Sequence, residues 1–583
     1  MEGLRPTTRL LASGDIYCYG PLLHTVQMSN LYNDSKYFVD MKLKNPPNET
    51  MKAFLEFMRI NNQKPNETEV QKFVDEMFES PDTEFEQWKP KDWTSNPKFL
   101  SNIKDPFYQK WAQDLNHFWK QLGRKLRDDI QEHQELYSII YVPNPVIVPG
   151  GRFREFYYWD SYWIVQGLLL SEMNVTVKGM LENFLHMVKT YGFIPNGGRV
   201  YYLRRSQPPL LIPTVKTYVD KTNDTEFLKE NIDLLEAEFM FWMKNHTVTV
   251  EKENKNYTLA RYYAPSAGPR PESYKEDYKH TEILKTPEEK QYQYIQLKTA
   301  AESGWDFSTR WFIVNGTNKG HITDTKTQHI IPVELNAILQ WNARILSEFY
   351  DKLGNSAKAA QYKHLADEWL EAVTNVLWNE EIGAWLDYDT LNNIPRNYFY
   401  PTNLSPLWTG CYRKEDFRVG KIMKYLQNVD ILRNLGGIPS SMEHSGEQWD
   451  FPNAWPPLQY IVIMALDNTN DPWAQDLAYE LAERWVRSNF KAYNESQAMY
   501  EKYDATIPGG YGGGGEYVNQ VGFGWTNGVI LELLDKYGSH LSVRDSFFSE
   551  RHKYDIAQDS SAHGLQCSIV LLLITLCGGI FVH

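Results

Sequence analysis

The chain has little cysteine, with four residues in 583, at Cys18, Cys411, Cys567 and Cys577. The last two fall in an apolar C-terminal run, and the remaining pair is too few for a disulfide framework. No Cys or His spacing matches a metal site, and the 14 histidines are scattered, which disfavours metal-dependent chemistry; no cofactor is expected. A basic stripe is missing too: 60 Lys and Arg face 74 Asp and Glu, for a net charge of −14. Neither nucleic acid nor an anionic membrane face is therefore an expected partner. No Ser/Gly-rich or Pro-rich linker divides the chain. One large body over 101–545 is predicted, preceded by a wrapping segment, 1–100, without chemistry of its own, and followed by a stalk and tail, 546–583.

Strand signals are also few, and Ala384-Trp385-Leu386-Asp387-Tyr388 is the best of them. Helical spacing dominates instead. Pro106 to Asp128 carries Phe107, Trp111, Leu115, Phe118 and Leu122 at three-to-four intervals. Val333–Tyr350 and Ser356–Leu377 form a pair around Gly354 and Asn355, read as stop and cap. Ala454–Leu466 and Pro472–Asn489 repeat that arrangement. Paired helices separated by long Gly/Pro/aromatic loops predict a mainly α chain closed into a toroid, with any site gathered in the loops at one mouth.

What is abundant is aromatic: 19 Trp, 37 Tyr and 27 Phe exceed what a core needs and leave rings to line a cleft. The stretch from Pro149-Gly150-Gly151-Arg152 through Trp159-Asp160 to Trp163 concentrates them. Arg152 and Asp160 can bond in the plane of a polyhydroxylated ring, while Trp159 offers a flat face to its C–H surface, which suits a sugar. A loop running into a buried aromatic helix would have the same composition. Cleaving a glycosidic bond takes two carboxyl groups. Asp306, in Ser303-Gly304-Trp305-Asp306-Phe307, sits between aromatics whose poor solvation would raise its pKa, as a general acid requires; a helix cap or buried ion pair would use the same residue. Glu501 in Tyr500-Glu501-Lys502-Tyr503 and Glu516 after Gly512-Gly513-Gly514-Gly515 are both candidate partners, and composition does not choose between them. The four glycines lack the Lys-Ser/Thr ending of a phosphate loop, so they are read as allowing close backbone approach to substrate.

Pro149-Gly-Gly-Arg-Phe-Arg-Glu-Phe-Tyr-Tyr-Trp-Asp-Ser-Tyr162 and Gln448-Trp-Asp-Phe-Pro-Asn-Ala-Trp-Pro-Pro457 resemble, in order, the first and second signatures of the trehalases, and the resemblance runs from about Gly20 to Tyr537. It implies an (α/α)6 barrel that cleaves α,α-trehalose, with Asp306 as acid and Glu501 as base. It further implies sugar binding by Arg152, Trp159, Asp160, Asn196, Arg205, Ser206, Gln207, Arg270, Pro271, Glu272, Gly304 and Glu516. Asp450, inside the second signature, is read as structural. Two rivals remain: an inverting glucosidase of the same barrel with another glucoside as substrate, and a surface sugar-binding protein without catalysis.

Ten Asn-x-Ser/Thr sequons, at Asn33, Asn48, Asn66, Asn174, Asn223, Asn245, Asn256, Asn315, Asn403 and Asn494, together favour the secretory pathway. Ser560-Ser561-Ala562 before the apolar run from Leu565 to Val582, with no Lys or Arg after it, has the layout of a GPI-attachment signal with Ser560 as candidate site. The expected address is the outer leaflet of the cell membrane. No signal peptide is evident: Met1 to Gly14 offers only Leu10-Leu11-Ala12 as apolar stretch, and the tail and sequons favour a native start other than Met1.

Overall fold

The computed structural model describes residues 14–413 and 419–543. The start of the chain, Ser560 and the 546–583 tail lie outside them. Helix α1 (Pro106–Leu122) shows how the local code works: Asp105 Oδ1 accepts from the backbone N–H groups of Phe107 and Tyr108, and Pro106 takes the first position. Its buried stripe runs through Trp111, Leu115, Trp119 and Leu122. The helix ends at Leu122 rather than near Asp128 as the periodicity predicts. Gly123 opens a strand, Gly123–Leu126, held between Phe85–Gln87 and Val146–Ile147. There the Trp88 ring lies where any Cβ at position 123 would come within 2.9 Å. Strand partners from elsewhere in the chain outweigh one more helical turn.

Besides Asp129–Glu132, Tyr274–His280 and Pro287–Glu302, eleven further helices follow among the described residues: α2 (Asp160–Leu170), α3 (Asn174–Tyr191), α4 (Leu211–Thr222), α5 (Thr225–Asn245), α6 (Val333–Lys352), α7 (Ser356–Ala372), α8 (Ser405–Thr409), α9 (Val419–Asn428), α10 (Pro456–Asp467), α11 (Pro472–Ser496) and α12 (Gly524–Tyr537). The even-numbered helices touch in sequence, α2 to α4 to α6 to α8 to α10 to α12, and α12 packs back on α2, so the ring closes. Among the odd-numbered ones, α1, α3, α5, α7 and α11 pack outside that ring. Burial explains the sorting. Nearly every residue of α2 and α10 is buried, whereas α9 buries only Ile422, Met423, Tyr425 and Leu426; a helix apolar all round needs neighbours on all sides. The predicted pairs α6–α7 and α10–α11 are present. Between α6 and α7, Gly354 sits at φ 77° and the Asn355 side chain caps Lys358 N at 3.1 Å. The predicted strand is divided: Ala384–Trp385 pairs with Trp378–Asn379, and Tyr388–Asp389 with Ile330–Ile331 and Ile394–Pro395.

Short N-terminal helices, Pro21–Met28 and Ser35–Val39, pack on Tyr274–His280 and on the turn Pro271–Ser273 respectively. Lys36 Nζ, fully buried, lies 2.6 Å from Asp40 and 2.7 Å from Glu155. Arg199 joins Glu155 at 3.2 Å and Glu84 at 2.6 Å. Pairing of this kind offsets the cost of burying the charges. The wrapping segment is thus keyed into the loops around the barrel mouth. Cys18 and Cys411 are free thiols. Of the sequons, Asn174 is half-buried and eight are exposed, but Asn403 is fully buried, with Nδ2 donating to Tyr398 O at 2.9 Å and Tyr425 OH at 3.0 Å. That leaves no room for a glycan, and Asn403 is corrected to a core residue.

Candidate active site

The segments that enter the inner helices α2, α4, α6, α10 and α12 converge on one mouth of the ring. There they enclose a cavity with an empty volume of about 620 Å³, solvent opening included. Its indole rings come from Trp159, Trp449, Trp455 and Trp525. Trp449 stacks on Trp455 with centroids 3.9 Å apart and planes 2° from parallel, and Trp159 meets Trp525 edge-on at 5.8 Å. Gly304, at φ 80°, lies so close to Trp159 that an added Cβ would stand 2.6 Å from the ring. A glycine is required there to let the Asp306 segment lie flat on the indole.

Three arginines from three loops surround the cavity, each oriented by a carboxylate. Arg205 donates to Glu272 at 2.5 Å and to Asn196 Oδ1 at 2.8 Å. Burial would raise the Glu272 pKa, but Arg205 and Arg270 outweigh it and hold the carboxyl below its usual range. Arg270 is clasped by Asp277 at 2.6 Å, reaches Glu516 at 2.8 Å, and places Nη1 3.7 Å from Asp306. Arg152 is gripped through Nε and Nη2 by Asp34 at 2.8 and 2.7 Å. That contact comes from the N-terminal segment, which therefore does carry part of the site's chemistry, contrary to the reading of 1–100 as inert.

Five carboxyl groups line the cavity, Glu272 among them. Asp306 keeps 31% of its side chain open to it. Burial raises its pKa to about 6 against the opposing pull of Arg270. Glu501, 1% exposed, accepts from Tyr517 OH at 2.7 Å. Burial raises its pKa also, while the Lys502 charge and the Tyr517 bond pull it down. Glu516 is pushed up to about 8, by burial first, despite Arg270; Ser273 Oγ donates to it at 2.9 Å. Asp160, in the first turn of α2, is raised to about 8 because burial outweighs its own backbone N–H, with Glu501 and Asp306 adding repulsion. An N-terminal helical position would ordinarily favour the anion, so desolvation decides here.

Most predicted site residues line the cavity: Arg152, Trp159, Asp160, Asn196, Arg205, Gln207, Arg270, Glu272, Gly304, Asp306, Glu501 and Glu516. Ser206 and Pro271 do not. Ser206 is fully buried, its N–H donating to Glu302 at 3.0 Å and its Oγ to Ile194 O at 2.7 Å, and the Pro271 carbonyl accepts from Gln27 at 3.1 Å; both fix loops. Asp450 is structural as read, accepting from Ser308, Thr309, Ser441 and Ser445. Sequence reasoning missed Trp449, Trp455, Trp525, Tyr517 and Ser273. The first two lie inside the second signature, a signal that was available; Asp34 had none.

Asp306 and Glu501, two cavity carboxyls with different partners, in a pocket of indoles and clamped arginines on a barrel of paired helices, form the acid and base arrangement of a glycoside hydrolase. Residues 30–538 match the family model described as Trehalase. The chain is 58% identical to trehalase of Apis mellifera over 97% of its length and 91% of the relative's. It is 49% identical to trehalase of Homo sapiens over 91% and 90%. The neutral trehalase structure from Saccharomyces cerevisiae superposes with a TM-score of 0.54 at 24% identity, covering 68% of this chain and 75% of that one, and shares the (α/α)6 fold. The chain belongs to the trehalase family.

Proposed function

We propose that the enzyme hydrolyses α,α-trehalose to two glucose molecules by single displacement with inversion, Asp306 protonating the bridging oxygen and Glu501 activating water. The carrying observation is the difference between their partners. Glu501 accepts a short hydrogen bond from Tyr517 beside the Lys502 charge, which favours its ionised form. Asp306 has Arg270 only at 3.7 Å, and burial keeps its proton on at mildly acidic pH. An inverting pair leaves room for water, with carboxyls roughly 6.5–9.5 Å apart, against about 5–5.5 Å in a retaining one. Arg152, Arg205 and Arg270 direct donors at the hydroxyls of both rings, and the tryptophans take their apolar faces.

Inversion makes one β-glucose from the attacked ring and one α-glucose from the leaving ring. Rapid proton NMR of the first products should show equal α and β signals; α-glucose alone would mean retention and remove these roles from Asp306 and Glu501. Parallel assays on maltose and a longer glucan should show little turnover. The reading includes an address: the eight exposed sequons and the C-terminal apolar run support a glycosylated enzyme held by a lipid anchor on the outer cell surface.

A further inference from the structure

Lys502 follows the general base in the chain and is fully buried. Among the described residues no carboxylate oxygen lies within 4 Å of its ammonium group, an arrangement that costs free energy unless other groups solvate it. Four groups do so. Nζ donates to Gln448 Oε1 at 2.9 Å and to Gly514 O at 3.3 Å. The indole of Trp455 and the phenol ring of Tyr517 face it at 5.1 and 5.7 Å. Gln448 then passes the contact on, its Nε2 donating to the backbone carbonyl of Asp306. Gly515, at φ 84°, is pressed against the Gln448 side chain so closely that a Cβ would stand 2.7 Å from Oε1. Asn453 fastens Gly513 through both backbone groups at 2.9 Å.

We propose that Lys502 is a positioning residue that sets the working pH of the acid–base pair and, through Gln448, ties the Asp306 segment and the glycine loop to the base. It is not among the residues that line the cavity. Its charge acts on a base surrounded by Tyr517 and Gln520 from the loop before α12, Arg152 from the loop before α2, Asp160 at the start of α2, and Asp306. Of these, Arg152 is committed to Asp34 and the other charged groups are acids, so Lys502 is the cation that favours ionised Glu501 most strongly. Removing it raises the affinity of both Glu501 and Asp306 for protons.

This inference rests on the acid–base roles proposed above, and its test separates the two. kcat/KM for trehalose is measured across pH for the wild type, Lys502→Met, Gln448→Glu and Gln448→Met. In Lys502→Met the acid limb should move up by about one pH unit, with the alkaline limb following. Gln448→Glu, which gives the ammonium a carboxylate partner, should move the limbs the same way and decides the matter if Lys502→Met does not fold. Gln448→Met keeps the charge and loses the tether, so activity should fall with the limbs in place. Profiles of Lys502→Met or Gln448→Glu that scale down without moving overturn the proposal. A wild type inert on trehalose overturns the reading of function instead.

Discussion

At the scale of the residue, this site is a contest between desolvation and neighbouring charge, and the outcome differs carboxyl by carboxyl. Glu272 is close to two guanidinium groups and stays ionised; Glu516 is close to one and takes up a proton more readily. The roles proposed for Glu501 and Glu516 rest on their partners. Glu501→Gln should lower kcat by roughly 10²–10⁴-fold while calorimetry still detects trehalose binding. Glu516→Gln, which weakens the link to Arg270 and Ser273, should raise the dissociation constant and retain measurable turnover. If Glu516→Gln is the inert one, the two have exchanged roles. Asp160 makes a linkage prediction. Its folded pKa of about 8 lies above the unfolded value of 3.8, so between those values the folded state binds more protons. The stability attached to that proton is therefore present at low pH and lost as pH rises toward 8. Asp160→Asn should melt higher than the wild type at pH 8, by at least ~1 kcal/mol, with the difference vanishing near pH 4. Equal melting temperatures at pH 8 would contradict a protonated Asp160.

At the scale of the element, the N-terminal arm behaves as part of the catalytic mouth. Ser35–Val39 lies on the turn that follows Arg270, and Asp34, which caps that short helix through Lys36 N at 2.9 Å, holds Arg152 in the cavity wall. Asp34 has 37% of its side chain exposed, so its contribution to global stability is small. Its effect is on geometry, because a guanidinium held by two parallel hydrogen bonds has lost the freedom to turn away. Asp34→Asn should reduce kcat/KM about tenfold, an effect of ~1.4 kcal/mol, chiefly through KM and with melting temperature nearly unchanged. A loss seen only in stability would mean that the arm is packing alone.

At the scale of the whole molecule, the six even-numbered helices close into a ring with others packed outside it, because the sequence supplies two kinds of helix, apolar all round and apolar on one stripe. None among the described residues is long and apolar enough to cross a membrane, so attachment would depend on the tail. With a lipid anchor, a phosphatidylinositol-specific phospholipase should release the activity from intact cells into the supernatant. Activity that stays on the membrane, with the apolar tail detected by mass spectrometry, would establish a spanning segment in its place.

The chain itself determined the helix periods, the stop and cap at Gly354 and Asn355, the loops that would carry chemistry, and the two signature stretches, because each is a local pattern of spacing or of residue type. Tertiary structure decided everything that depends on a partner far along the chain. It ended α1 at Leu122, since strand pairing from residues 85–87 and 146–147 is invisible to a helical period. It placed Asn403 in the core, where Tyr425 uses its amide. It brought Asp34 to Arg152 across 118 positions, and it separated the Arg205-Ser206-Gln207 run into two side chains facing the cavity and one facing away. Composition left Glu501 and Glu516 open as partners for Asp306 and only the family resemblance pointed to Glu501, because a carboxyl's proton affinity is set by what surrounds it, and those surroundings are assembled only when the ring closes.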